Sequence, residues 1–170
     1  MSEKRTVIMG GVPVEVEGNS LKVGDKAPDF NVIDLDSNPK SLRDFPGKVR
    51  IISSVPSLDT AVCDRETRHF NQLAAGLGED VLILTISVDL PPAQKRWCGA
   101  AGIDKVVVMS DHREVSFGTN YRVLMPSKRQ LARCVFVLDK NDVIRHVQLV
   151  PAIGQEPDYD EVLAAVKALI

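Results

Sequence analysis

Apolar and polar positions along this chain fall into blocks whose period changes several times. Thr6–Met9 and Val12–Val16 are rich in β-forming residues and flank Gly10-Gly11, which predicts an N-terminal β-hairpin. Leu21 to Gly47, with many Asp, Pro and Asn, predicts loop with short extended pieces. Val49–Val55 predicts a strand and Thr60–Leu77 an amphipathic helix. Val81–Val88 is a near-continuous apolar run, the mark of a strand buried on both faces. A helix follows from Pro91 to about Ala101, with proline at the favoured first turn. Lys105–Met109 predicts a short strand and Arg113–Tyr121 a weaker helix. Met125–Gln130 is polar and irregular and predicts an exposed loop. Cys134–Leu138 and Val143–Val150 flank Asp139-Lys140-Asn141-Asp142 and predict a second hairpin. The last helix, Asp158–Leu169, carries Val162, Leu163, Val166, Leu169 and Ile170 on its apolar face. The order ββ, βαβαβ, α, ββ, α argues for an α/β fold, a central mixed sheet flanked by helices on both faces. With no repeat, low-complexity tract or linker, one domain is expected over 1–170, with the hairpin extension over 1–18.

Composition narrows the function classes. A net charge of −2 argues against nucleic acid or an anionic membrane as main partner. No apolar run approaches the roughly 20 residues of a membrane span. Met1–Thr6 lacks the apolar core of a signal peptide, so a cytoplasmic location is expected. Cys63, Cys98 and Cys134 are too few and too scattered for a secreted disulfide scaffold, and no C-x-x-C pair occurs. His69, His112 and His146 show no metal-ligand spacing with them. No metal, haem or flavin is expected.

Cys63 ends the octet Pro56-Ser57-Leu58-Asp59-Thr60-Ala61-Val62-Cys63, which leads from a strand into a helix. A cysteine in a first helical turn lies beside unpaired backbone N–H groups and the positive end of the helix dipole. Both favour the nucleophilic thiolate. Cys63, Thr67, Phe70, Ala74 and Leu77 share one stripe, so the sulfur faces inward at the mouth of a core-facing helix. Position alone leaves two readings open, a reactive thiol or a small space-filler. Pro56 fixes the approach, Asp59 or Thr60 can cap the helix, and the Thr60 hydroxyl stands within reach of the sulfur. Arg65 and Glu66 read as solvated charges or local ion pairs.

The octet resembles the peroxidatic-cysteine motif of the thiol peroxidase branch of the peroxiredoxins, the atypical two-cysteine type. Further matches are Phe70–Ala74, Ser87-Val88-Asp89-Leu90-Pro91, Arg96-Trp97-Cys98-Gly99, Leu131-Ala132-Arg133 and Glu156-Pro157-Asp158-Tyr159, spread over nearly the whole chain. The hairpin resembles that branch's N-terminal extension. The resemblance implies a thioredoxin-like fold and reduction of hydrogen peroxide and alkyl hydroperoxides in antioxidant defence. It makes Cys63 the peroxidatic nucleophile and Cys98 the resolving cysteine that forms an intramolecular Cys63–Cys98 disulfide. It assigns Pro56 to shielding the sulfur, Thr60 to orienting sulfur and peroxide, and Arg133 to supplying positive charge. It also implies a thioredoxin or similar dithiol reductant and a homodimer.

Local sequence bears on these roles. Gly99 and Gly102 each weaken a helix interior by about 1 kcal/mol, so the end of the Cys98 helix should open readily. If Arg133 faces the site, strand alternation turns Cys134 away from it into the core. Trp97 reads as helix packing, with a contact for the reductant as the other option. The histidines read as surface residues. Two further functions fit the fold: a peroxide-sensing redox adaptor without significant turnover, and a general disulfide oxidoreductase, the latter weakened by the absent C-x-x-C.

Overall fold

The structure, a computed structural model, describes residues 4–170. It begins with an antiparallel hairpin, β1 (Arg5–Met9) and β2 (Val12–Val16). Gly10 and Gly11 turn it at φ of 59° and 79°, a region open to glycine at little steric cost. Short strands β3 (Val32–Ile33) and β4 (Pro39–Lys40) follow. The central unit is β5 (Val49–Ser54), α1 (Ala61–Leu77), β6 (Val81–Ser87), α2 (Pro91–Ala101) and β7 (Val107–Ser110). The remainder is α3 (Ser116–Asn120), β8 (Leu124–Met125), β9 (Gln130–Leu131), β10 (Cys134–Leu138), β11 (Ile144–Leu149) and α4 (Tyr159–Lys167).

Among the described residues the main sheet runs β11-β10-β5-β6-β7-β3-β4. Strands β5, β6 and β7 are parallel, joined through α1 and α2; β10 extends the sheet antiparallel to β5, and β11 pairs antiparallel with β10. The sheet is mixed, as the element order implied. Alternation along its strands divides the core. Val49, Ile51 and Val55 of the β5 segment, with Val135 and Val137 of β10, pack against Phe70 of α1, Cys98 of α2 and Val162 and Val166 of α4. Ile52, Leu84, Ile86, Cys134 and Phe136 face the opposite layer with Phe30, Phe117 and Tyr121. The Phe117 and Tyr121 rings stack at 4.3 Å and Phe136 meets Tyr121 edge-on at 5.1 Å. A smaller cluster seats the hairpin: Val7, Val14 and Val16 pack on Met125 and Ala132.

Several predicted elements change at their ends. Helix α3 is shorter than Arg113–Tyr121 because the buried Asp111 carboxylate accepts the N–H groups of Phe117 (3.0 Å) and Gly118 (2.8 Å), fixing its start. The predicted loop Met125–Gln130 is a tight turn: Met125 pairs with Gln130 and is fully buried, leaving residues 126–129 exposed. In α4, Val162 and Val166 are buried but Ile170 is 56% exposed, beyond the helix end. Gly102 lies outside α2, in the left-handed conformation at φ 69° that stops the helix. Only Gly99 is therefore an interior glycine, and Gly102 strengthens the end it was expected to weaken.

Burial pushes the Asp111 carboxyl up to about 6, against the backbone N–H bonds that hold it down. A raised folded value means tighter proton binding in the native state, so this stabilisation is present below about pH 4 and lost as pH rises past about 6. The span corresponds to on the order of 3 kcal/mol. Urea unfolding midpoints of Asp111→Asn should accordingly vary less between pH 4 and 7 than those of the wild type.

Candidate active site around Cys63

The buried Pro56 follows the end of β5, and the chain turns over residues 57–60 into α1. Thr60 is the N-cap residue with extended backbone, and its carbonyl accepts the first helical bond from Asp64 N–H at 2.9 Å. Cys63 is thus in the first turn, as the sequence placed it, but its exposure is 0%, deeper than the sheltered helix mouth expected.

Arg133 stands immediately before β10 and its side chain is fully buried. Its Nη2 lies 3.3 Å from Cys63 Sγ. Its Nη1 donates to Glu66 Oε2 at 2.6 Å, and Nε and Nη2 donate to the Ile153 carbonyl at 3.3 and 2.9 Å. Ser53 Oγ donates to Glu66 Oε1 at 2.8 Å. Strand parity explains the meeting: Ser53 shares the face of Ile51 and Val55, and Arg133 the face of Val135 and Val137, toward α1.

Burial raises the Glu66 carboxyl above its ordinary value, while the Arg133 charge and hydrogen bonds from Arg133 and Ser53 pull it back. For Arg133, burial opposes the charge, but Glu66 and Cys63 outweigh it and the guanidinium stays protonated. The buried guanidinium thus lies between a carboxylate and a sulfur, with a hydrogen bond to each.

Glu66 corrects the sequence reading, which left it at the surface: it is 0% exposed. The inward face of α1 includes 63, 66, 67 and 70, wider than the stripe drawn at 4-3-4-3 spacing, and the arginine beneath needs a counter-charge. Arg65 does remain exposed, 3.8 Å from Glu156. Thr60 is a second correction. It is exposed, its hydroxyl donates to the Ser57 carbonyl at 2.9 Å, and its side chain makes no capping hydrogen bond although its backbone is the N-cap.

Cys98 is buried in the same core layer as Cys63, and both are free thiols. Burial pushes the Cys98 thiol up. Its carbonyl accepts N–H bonds from Gly102 and, at 3.0 Å, from Ile103, the double closure that ends α2. Cys134 lies in the opposite layer, as strand parity required, and burial pushes its thiol up to about 12. Trp97 is half-buried against the core, and Arg68 stands over its ring at 5.9 Å. His69 is not a bare surface residue: its ring stacks on Tyr159 at 3.8 Å.

Asp89 had no predicted role, although it lies in a matched segment. Its carboxylate accepts from Ser57 Oγ (2.6 Å), Leu58 N–H (2.8 Å) and Ser87 Oγ (2.7 Å), tying the approach to Cys63 to the start of α2. A cleft of about 390 Å³ opens beside it, lined by Ser57, Asp59, Gln94, Arg96 and Trp97 among others.

The Redoxin family model matches residues 22–163. Over 160 residues the chain is 52% identical to "Thiol peroxidase" of Bacillus subtilis, covering 94% of this chain and 95% of the relative. Over 165 residues it is 48% identical to "Thiol peroxidase" of Halalkalibacterium halodurans, covering 97% and 99%. The chain belongs to the thiol peroxidase branch of the Redoxin family. A peroxiredoxin-like protein from Aquifex aeolicus superposes with a TM-score of 0.91 at 44% identity, covering 99% of both chains. A thiol peroxidase from Chromobacterium violaceum superposes at 0.86 with 21% identity, which speaks for the fold alone. The thioredoxin-like architecture is thus shared with other Redoxin-family thiol peroxidases, over nearly the full chain.

Removing one partner of a buried ion pair costs about 3–5 kcal/mol. Glu66→Gln should therefore lower the unfolding free energy by roughly 3 kcal/mol, read from urea denaturation. A loss below about 1 kcal/mol would class the pair with weak exposed bridges instead.

Proposed function

We propose that this protein is a thiol-dependent peroxidase that reduces hydrogen peroxide and alkyl hydroperoxides, with Cys63 as the peroxidatic nucleophile. The observation that carries it is the Arg133 guanidinium 3.3 Å from a first-turn cysteine sulfur. The thiolate attacks one peroxide oxygen, the O–O bond breaks, and the departing alkoxide or hydroxide takes a proton to leave as alcohol or water. Sulfur is oxidised to sulfenic acid as the peroxide is reduced. Arg133 stabilises first the thiolate and then the charge moving onto the departing oxygen. The hydrogen of Thr60 is committed to the Ser57 carbonyl, so Thr60 Oγ1 offers lone pairs to a peroxide O–H. Pro56, buried beside this turn, keeps the approach rigid and dry.

Cys98 is the resolving cysteine. Its thiol condenses with the sulfenic acid, forming the Cys63–Cys98 bond and releasing water. While α2 is closed, burial keeps Cys98 a weak nucleophile. Opening of the helix end restores an ordinary thiol, which limits resolution to the opened state. Cys134 lies across the sheet with a thiol pushed up to about 12, which argues against it as the alternative partner. A thioredoxin-type dithiol then reduces the disulfide, and no metal or organic cofactor enters the cycle. A cytoplasmic homodimer is the working form, on the strength of the family resemblance.

Peroxide consumption coupled to a thioredoxin system tests the assignment. Cys63→Ser should abolish it, and full activity in that variant would sink the idea. Cys98→Ser should allow oxidation of Cys63 once but no sustained turnover with thioredoxin. Arg133→Gln should slow Cys63 oxidation by about 10²-fold or more. Peptide mapping of the oxidised protein should recover Cys63–Cys98, whereas a Cys63–Cys134 bond would reassign the partner.

A further inference from the structure

The N-terminal hairpin lies outside the segment that defines the Redoxin family, 22–163, yet its hydrogen bonds lead to the sulfur. Ile8 stands opposite Pro13 in the hairpin, and Pro13 has no N–H to offer it. Ile8 directs its backbone outward instead. Its N–H donates to the Pro151 carbonyl and its carbonyl accepts from Ile153 N–H, both at 2.8 Å. The same pairing appears as a parallel bridge between Ile8 and Ala152. The Ile153 carbonyl, in turn, accepts from Nε and Nη2 of Arg133, and Nη2 is the nitrogen that meets Cys63 Sγ. Packing follows the same line. Ala132, next to Arg133, sits in the apolar cluster of Val7, Val14 and Val16, with Ile153 half-buried against it.

We propose that the hairpin is a positioning element of the active site, and Ile8 a positioning residue that fixes Arg133 through the Ile153 carbonyl. The proposal rests on the reading of Cys63 as a peroxide-reactive thiol. A planar guanidinium presents its donors in a rigid fork, so partners on two of its edges fix its orientation. Glu66 holds Nη1, and the Ile153 carbonyl holds the Nε–Nη2 edge. With Glu66 alone, the group can swing about that contact and carry Nη2 off the sulfur. The 151–153 segment is irregular and runs into Gly154, so β1 gives it a fixed neighbour. Preorganised charge is what transition-state stabilisation requires.

The test breaks the tether from either side. Ile8→Pro removes the donor to Pro151, and Ile153→Pro removes the donor to Ile8. Cys63 oxidation by hydrogen peroxide is followed by stopped flow in each, with ultraviolet thiolate absorbance, circular dichroism and melting as parallel readouts. Each folded variant should oxidise about tenfold more slowly and show less thiolate at neutral pH. In an Arg133→Ala background the same replacements should change the rate by less than about twofold, because the hairpin acts through the guanidinium. A wild-type rate no faster than a free thiol's would refute the peroxidase reading itself. A fast wild type with unchanged rates in the folded variants overturns only the positioning role. So does an equal loss with and without Arg133, or loss of folding in both variants, which would assign the tether to global stability.

Discussion

One buried charge organises this molecule. A guanidinium with no exposure must find partners for its charge and its donors, or the fold forfeits several kcal/mol. Arg133 finds them in Glu66, the Ile153 carbonyl and the Cys63 sulfur. Two of these partners stand on α1 and the third follows β11, so satisfying one side chain fixes the relation of α1, β10 and the segment after β11. The same requirement carries chemistry. The cation sits against the sulfur, and the carboxylate on its other edge keeps it in place.

The sheet sorts the three cysteines into two layers. Cys63 and Cys98 share one core layer, where a change in α2 could bring them together. Cys134, one residue from Arg133 in sequence, is held across the sheet by strand alternation alone. Sulfurs on one side can meet by local movement, whereas reaching Cys134 would mean breaking the sheet.

Much of this was legible in the sequence because it depends on period and on local chemistry. The order of strands and helices, the Gly10-Gly11 hairpin, the first-turn position of Cys63 and the opposite facing of Arg133 and Cys134 follow from spacing alone. The long matched motifs named the family. What spacing could not show was how charges are satisfied in three dimensions. Glu66 looks like any helix-surface glutamate until the arginine beneath it is known. Its place three residues after Cys63, with Phe70 four further on, was the available signal. The Ile153 carbonyl is a backbone group and leaves no trace in residue type. Thr60 is similar: sequence placed it at the helix start, but only the structure shows its hydrogen bonding the Ser57 carbonyl. Gly102 stands just past the helix end, as the bounds read from the sequence implied, but its left-handed backbone makes it a stop and not a weak point.

The ties on α2 are unequal at its two ends. At its start, Asp89 bonds Ser57, Leu58 and Ser87, and Gln94 is buried with its amide on Ser87 Oγ and the Met109 carbonyl. At its finish, the Cys98 carbonyl accepts the closing N–H bonds of Gly102 and Ile103, and one exposed contact, Arg68 Nη1 to the Ala101 carbonyl at 3.4 Å, adds to them. The helix is thus built like a drawbridge, with its pivot under the approach to Cys63 and its free edge at the second sulfur. Unwinding would run backward from Gly102 and stop at Gln94, releasing Cys98 while the floor beneath the first sulfur stays in place.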